Sequence, residues 1–324
     1  GPEVFPVGLG LWQHGSRLWG YRGSVEVLAE GLGRALEEGI NLVDTAEVYG
    51  WGRSEKLLGE ALRRLGARGE FVVVSKVGGF RHSRGDIVGG ARGIAERLGY
   101  PPDILLHHWP PPLWARVCEV IRGLEDAVNE GFASYYGLSN YPEDLLEDAL
   151  SCTKRVEPIA IQAQYSLAYR QPEKRLIPLA RSAGMGFMAW SPLAKGALAG
   201  KRKAETSAQR GDPVFRVASR DERLQSALRE AAERLEASMA EVALAWLVSK
   251  GVVAVVGWRR PERIPSIAKA GRLKLPEDVA RTLDEASRKY VDYWGPSYKP
   301  PSQALLKITP GTIQKVLLTI AGGI

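Results

Sequence analysis

Short apolar runs alternate with longer amphipathic ones along nearly the whole chain. Residues 5–12, 40–44, 71–76, 103–108, 134–139, 158–162, 186–190 and 252–256 each read as a strand, because they are brief, apolar or β-branched, and bounded by turn formers. The segments between them carry helical spacing. Residues 25–38 place Leu28, Leu32 and Ala35 on one side, and residues 54–65 carry a stripe of Leu57, Leu58, Ala61 and Leu62. Further helices are expected over residues 89–98, 113–130, 142–151 (with Pro142 in the first turn), 173–183, 220–236, 239–249, 261–270 and 276–289. Residues 79–88, rich in Gly and Arg, read as a loop, and residues 194–219 as the longest connection.

Eight strands alternating with helices predict a parallel sheet. Several strands are continuous apolar runs, as expected when both faces are covered, and eight strands suffice to close a barrel filled by side chains. The expected fold is therefore a single-domain (β/α)8 TIM barrel over residues 1–292, with a C-terminal tail over residues 293–324. Gly8-Leu9-Gly10 lacks a third glycine at the offset of a dinucleotide-binding turn, which disfavours an open Rossmann sheet.

The ends of these strands carry the candidate chemistry. Residues 40–44 finish on Asp44, with Tyr49 just beyond; residues 71–76 finish on Lys76; and residues 103–108 finish on His107 and His108. In a parallel barrel the C-terminal strand ends converge on one face. An Asp, a Tyr, a Lys and a His meeting there suit proton transfer to a carbonyl oxygen. Taken singly, an Asp after a strand caps a helix, a Tyr lines a rim and a strand-end Lys is solvated. Adjacent strand residues point to opposite faces, so one histidine should face the barrel mouth and the other should pack against helices. The same alternation counts against a metal-dependent hydrolase built on Asp44, His107 and His108.

Composition narrows the class of ligand. Among 324 residues, 45% are hydrophobic and 25% charged, ordinary values for a globular chain. The net charge of +7 is spread along the sequence with no dense basic block, which points to an anionic small ligand and away from nucleic acid. Cys118 and Cys152 read as two isolated thiols with neither metal spacing nor a disulfide framework, so a reducing cytoplasm is expected. No leader-like opening and no apolar run approaching ~18 residues is seen, so neither secretion nor a membrane span is expected. Abundant Arg and Glu with sparse Asn and Gln lean toward a thermophile-like composition.

The ordered motifs resemble those of the aldo-keto reductase superfamily from about residue 5 to residue 290. They are Gly8-Leu9-Gly10-Leu11-Trp12, Asp44-Thr45-Ala46, Tyr49-Gly50, Ser54-Glu55, Leu58-Gly59, Lys76, His108-Trp109-Pro110, Gly137-Leu138-Ser139-Asn140, Gln162, Ala189-Trp190-Ser191-Pro192-Leu193 and Ala243-Leu244-Ala245-Trp246. The resemblance implies hydride transfer between NADPH and a small-molecule carbonyl substrate, the cofactor lying extended across the barrel. Tyr49 would be the general acid, with Lys76 lowering its pKa, Asp44 holding Lys76, and His108 orienting the carbonyl. Ser139, Asn140 and Gln162 would grip the carboxamide and Trp190 would stack on the nicotinamide. Ser191, Pro192, Leu193 and Gly196 would cradle the pyrophosphate, and Trp12 and Gly257 would complete the cofactor cleft. Arg259 and Arg263 would meet the 2′-phosphate, favouring NADPH over NADH.

Departures from the family pattern are specific. The usual floor hairpin is expected to be absent or replaced, because the first strand starts almost at residue 5. Ser266 and Ile267 replace the residues that touch adenine, Trp258 stands where a small residue is usual, and Gln164 replaces Glu. In the tail, Tyr293, Trp294 and Tyr298 are expected to line the pocket, and residues 309–320 to form an amphipathic helix packed on the barrel. The expected function is reduction of aldehydes or ketones by a monomer or weak homo-oligomer. The alternative is an NADP-binding, redox-sensing regulatory subunit with little turnover.

Overall fold

In the computed structural model, which describes residues 1–294, eight parallel strands close into a barrel in chain order. They are β1 (Val7–Gly10), β2 (Leu42–Asp44), β3 (Val72–Val77), β4 (Ile104–His107), β5 (Tyr135–Ser139), β6 (Ala160–Gln164), β7 (Gly186–Trp190) and β8 (Val253–Gly257). The ring closes where Val7, Gly8, Leu9 and Gly10 pair with Ala254, Val255, Val256 and Gly257.

The longer helices surround this ring: α1 (Val25–Glu37), α2 (Arg53–Leu65), α3 (Arg84–Leu98), α4 (Val117–Asn129), α5 (Glu143–Ser151), α6 (Leu176–Ser182), α7 (Glu222–Arg234), α8 (Met239–Ser249), α9 (Ile264–Arg272) and α10 (Glu277–Ser287). Their starts are chemically marked. The side chains of Ser24, Ser83, Asp221 and Ser238 each accept the backbone N–H three residues on, satisfying a donor that the helix leaves unpaired.

Strand alternation sorts the side chains into two cores. Val43, Val73, Leu105, Ile161, Ala189 and Ala254 face outward and pack with the helices. Leu42, Val74, Ile104, Leu106, Ala160, Met188 and Val255 form a separate cluster that fills the lower barrel. Two residues further along the same inward rows come Asp44, Lys76, His108, Gln162 and Trp190. A single alternation thus runs from an apolar floor to a polar mouth.

The N-terminal segment packs across the lower end of the barrel. Val4 packs on the lower cluster, the Phe5 N–H donates to Asn41 Oδ1 at 2.8 Å, and the Asn41 amide donates to the Glu3 carbonyl at 3.1 Å. The first strand begins at Val7 rather than residue 5, because Phe5 turns outward to lie against Gly271 of α9.

Three expectations are corrected. Residues 84–88 belong to α3, whose start at Ser83 was obscured by the Gly- and Arg-rich run. Residues 194–219 fold into a 3-10 segment (Ala194–Ala199) and two short helices (Ser207–Arg210 and Pro213–Ala218), so this connection is built rather than irregular. Cys118 and Cys152 are not isolated thiols; they form a disulfide with Cα atoms 5.1 Å apart. They lie 34 residues apart in sequence, but α4 and the end of α5 are neighbours around the barrel. Closing a loop of that length restricts the unfolded chain and contributes about 3–4 kcal/mol.

Tyr293 and Trp294 are not among the cavity-lining residues. The Trp294 indole donates to the Ala168 carbonyl at 2.8 Å and stacks on Tyr169. The expectations for Tyr298 and for residues 309–320 lie outside the described residues.

Candidate active site

A cavity of about 480 Å³ opens at the C-terminal ends of the strands. Asp44, Tyr49 and His108 line it, together with ten of the residues expected to hold a cofactor: Trp12, Asn140, Gln162, Trp190, Ser191, Pro192, Leu193, Gly196, Gly257 and Arg259. Lys76 and Ser139 lie behind the surface, fully or almost fully buried. Arg263 is exposed and stands outside the lining.

The centre of the site is a buried ion pair. Lys76 Nζ donates to Asp44 Oδ1 at 2.6 Å and to the Thr45 carbonyl at 2.7 Å. The Gln162 amide donates to the other carboxylate oxygen of Asp44 at 2.8 Å. Lys76 therefore commits two of its three N–H groups, and Asp44 is held at both oxygens. Its Nζ lies 5.2 Å from the centre of the Tyr49 ring, and that ring meets the His108 imidazole edge-on at 5.6 Å.

Burial sets the protonation states. It pushes the Tyr49 phenol well above its usual range, and the Asp44 charge pushes the same way. The expected lowering by Lys76 is therefore reversed: desolvation of the phenolate outweighs an ammonium whose charge Asp44 already compensates. Burial also draws the Lys76 ammonium below its ordinary range, against the pull of Asp44. His108 is pushed well below the usual imidazole range by burial, with Lys76 and His107 adding to the effect, so its ring is neutral.

The two histidines divide as the alternation requires. His107 Nδ1 lies 2.8 Å from the Tyr141 hydroxyl, and Nε2 lies 2.9 Å from the Arg81 carbonyl. A carbonyl only accepts, so Nε2 carries the proton and Nδ1 accepts from the phenol. Burial lowers this imidazole to about 4, in keeping with a neutral ring. His107 thus ties the β3 loop to Tyr141, while His108 faces the cavity.

The polar groups along the rest of the cavity are partly committed to one another. Asn140, in a left-handed conformation (φ 60°), donates to the His108 carbonyl at 2.9 Å and to Ser139 Oγ at 3.0 Å. It accepts from the Trp190 indole at 2.8 Å, which fixes that ring at the cavity wall. Ser191 Oγ is buried and has no hydrogen-bond partner among the described residues. Beyond it Ala194, Lys195 and Gly196 all have positive φ, turning the chain sharply at the wall.

Sequence reasoning missed the wall that continues from this turn. Lys195 Nζ pairs with Asp212 at 2.8 Å, donates to the Ala208 carbonyl at 3.1 Å and lies 5.1 Å from the centre of the Trp12 ring. Gln209 donates back to the Lys195 carbonyl at 2.9 Å. Lys195, Gln209 and Asp212 line the cavity beside Gln13, Trp19, Lys201 and Thr206. The caps at Thr206 and Asp212 were the available signal, but the helices they start are too short to show a period. Trp258 does not obstruct the cleft. Its ring is buried against His14 and Gly31, where a Cβ would lie 2.1 Å from the indole, so Gly31 makes room for it beneath α1.

Residues 6–288 match the aldo/keto reductase family, and the chain belongs to it. It is 34% identical over 297 residues to an uncharacterized oxidoreductase of Mycobacterium tuberculosis, covering 89% of this chain and 91% of that one. It is 31% identical over 315 residues to a putative voltage-gated potassium channel subunit beta of Schizosaccharomyces pombe, covering 88% and 90%. Among solved structures, an aldo-keto reductase from Klebsiella pneumoniae in complex with NADPH superposes with a TM-score of 0.73 at 26% identity, covering 92% of this chain and 94% of that one. Membership of the family makes the chain an oxidoreductase in class.

Proposed function

We propose that the chain is an NADPH-dependent reductase that converts an aldehyde or ketone to an alcohol. The observation that carries this reading is the meeting of Asp44, Tyr49 and His108 in one cavity, with Lys76 bonded to Asp44 just behind its surface. When bound, the nicotinamide supplies the hydride that the carbonyl carbon accepts. The carbonyl oxygen then gains negative charge and needs a proton. Tyr49 holds one across the neutral range, because burial keeps the phenol protonated. The third N–H of Lys76, not committed to Asp44 or Thr45, stabilises the phenolate left behind. His108, neutral, polarises the carbonyl by hydrogen bonding rather than by charge.

The cavity fits an extended dinucleotide. Trp190 offers a ring face held by Asn140, and the Gln162 carbonyl oxygen and the Ser139 hydroxyl proton are the groups still able to meet a carboxamide. The unpartnered Ser191 Oγ, with Pro192, Leu193 and Gly196, suits a pyrophosphate. Arg259 at the rim, with Arg263 beyond it, suits a 2′-phosphate, and Trp12 and Gly257 flank the path. The Klebsiella relative's NADPH complex supports this cofactor.

Within this reading the partner is a small carbonyl compound, and the protein acts as a monomer or weak homo-oligomer in the cytoplasm. Among the described residues no helix is long and apolar enough to cross a membrane. The Cys118–Cys152 disulfide removes the isolated-thiol argument for a reducing compartment, so the cytoplasmic reading holds only for a thermophile-type cell, where intracellular disulfides persist and toward which the Arg- and Glu-rich composition leans.

The test is to mix the protein with NADPH and a panel of aldehydes, diketones and sugars and to follow the reduced-nicotinamide absorbance. Carbonyl-dependent oxidation is expected, and Tyr49→Phe should lower kcat by about 10²–10⁴ while NADPH still quenches the tryptophan fluorescence. Undiminished turnover in Tyr49→Phe would remove Tyr49 as the acid. A second reading, a redox-sensing regulatory subunit, draws on the likeness to a putative channel subunit beta. It would be favoured by NADPH binding without turnover of any carbonyl.

A further inference from the structure

The turn that follows Tyr49 contains three consecutive left-handed residues: Gly50 (φ 64°), Trp51 (φ 53°) and Gly52 (φ 83°). Two of them have to be glycine. A Cβ at Gly50 would lie 2.5 Å from the Gly15 carbonyl oxygen, and one at Gly52 would lie 2.3 Å from the Arg97 side chain. Trp51 is different. A bulky side chain is a poor choice for this backbone, costing about 1–2 kcal/mol where Gly or Asn would fit with less strain. Burial does not account for it either, since Trp51 is 38% exposed.

What the strained position achieves is the placement of the indole. Aromatic rings run from the reacting centre to the rim in one continuous row. Tyr49 meets His108 at 5.6 Å, His108 meets Trp109 at 4.7 Å, Trp109 meets Phe80 at 6.3 Å, and Phe80 meets Trp51 at 6.1 Å. Tyr49, Phe80 and Trp109 are buried and share one apolar cluster. Trp51 stands beyond the cavity lining, at the solvent end of this row.

We infer that Trp51 is a specificity-determining residue that stacks on a flat, apolar portion of the carbonyl substrate, selecting ring-bearing aldehydes over short aliphatic ones and sugars. The inference rests on the reductase reading of the site. A local strain persists where the surrounding structure and a function both hold it, and an exposed indole at the end of an aromatic row provides a broad contact face for a planar ligand. A sugar would cover that face with hydroxyl groups and leave their hydration unreplaced.

The experiment compares 2-naphthaldehyde with butanal, as kcat/KM with NADPH, for the parent protein, Trp51→Asn and Trp51→Phe. In Trp51→Asn the ratio of the two values should fall about tenfold in the direction of butanal, and Trp51→Phe should recover part of it. The melting temperature of Trp51→Asn should be unchanged or higher, because Asn accepts the left-handed backbone. A folded Trp51→Asn with an unchanged ratio, or with equal losses on both substrates, overturns the inference. If the parent protein reduces neither aldehyde, the reductase reading fails, and calorimetric binding of 2-naphthalenemethanol with NADP+ decides the role of Trp51. Weaker binding to Trp51→Asn upholds the contact, and equal binding removes it.

Discussion

The floor and the mouth of this barrel are made from the same strands yet obey opposite physical rules. Along the inward rows, Leu42 precedes Asp44, Val74 precedes Lys76, Leu106 precedes His108 and Ala160 precedes Gln162. The lower residues form a closed apolar cluster with Val4 beneath it. The upper ones are an ion pair, an amide and an imidazole. Backbone strain follows the same division. Among the described residues, five of the six non-glycine positions with positive φ (Trp51, Asn140, Ser191, Ala194 and Lys195) lie in loops leaving the mouth. The sixth is Glu236. The floor is therefore arranged for stability, while the mouth holds charges and conformations that stability alone would not select.

The most severe way to break this contrast is to remove one member of the buried pair. Lys76→Met leaves Asp44 desolvated with only Gln162 as a side-chain donor, so it should lower stability by about 3–5 kcal/mol and nearly abolish turnover. Adding Asp44→Asn to Lys76→Met should recover most of the stability and none of the activity. Denaturant unfolding and steady-state rates on the three proteins measure both. If the double variant is no more stable than Lys76→Met, the mouth charges are not opposing one another as described.

A floor substitution should do the reverse. Ile104 sits in the lower cluster at 4% exposure, two strand repeats below His108. Ile104→Ala should cost about 2–5 kcal/mol, with kcat and KM close to those of the parent protein at a temperature where both are folded. A fall in kcat comparable to the loss for a mouth residue would mean that the two ends are coupled rather than separate.

How legible this division was depends on the scale of the signal. The expected strand at residues 186–190 coincides with β7, Gly186–Trp190, because a four-residue apolar run between Gly186 and Ser191-Pro192 is a complete local signal. The Asp44, Tyr49, Lys76 and His108 set was legible because each residue sits at or just past a strand end, and the fold brings strand ends together. Groups defined by packing were not. The second role of Gln162, whose amide nitrogen donates to Asp44, 118 residues away, is one of these, while its carbonyl oxygen stays open to the cavity. The disulfide depends on α4 and α5 being neighbours, and the wall made by Lys195, Gln209 and Asp212 depends on helices of four and six residues. The Tyr49 pKa was misjudged because a sequence shows neighbouring charge but not the desolvation that outweighs it.

A smaller effect, pH dependence, sharpens the comparison because buried titratable groups lie around the mouth as well as in it. His14 and His107 are each lowered from 6.5 to about 4, chiefly by burial. The unfolded chain therefore binds protons at these sites before the fold does, and the stability present above pH 6.5 is lost as pH falls toward 4. Glu55 acts the other way. Burial raises its carboxyl from 4.5 to about 7, against the pull of Arg97, so the fold binds this proton first and gains stability as pH falls from 7 toward 4.5. Between pH 7 and pH 5 His14 and His107 should each remove about 2 kcal/mol, His108, lowered by the same cause, adds to the loss, and Glu55 should restore about 2 kcal/mol. In Glu55→Gln the offset disappears, and the loss over the same interval should be about 2 kcal/mol larger than in the parent protein, whatever its stability at pH 7. Urea unfolding of both proteins at the two pH values measures the slopes directly. Parallel slopes would mean that Glu55 does not take up a proton in this range, and that its bonds to Ser75 and Arg97 hold it ionised behind the site.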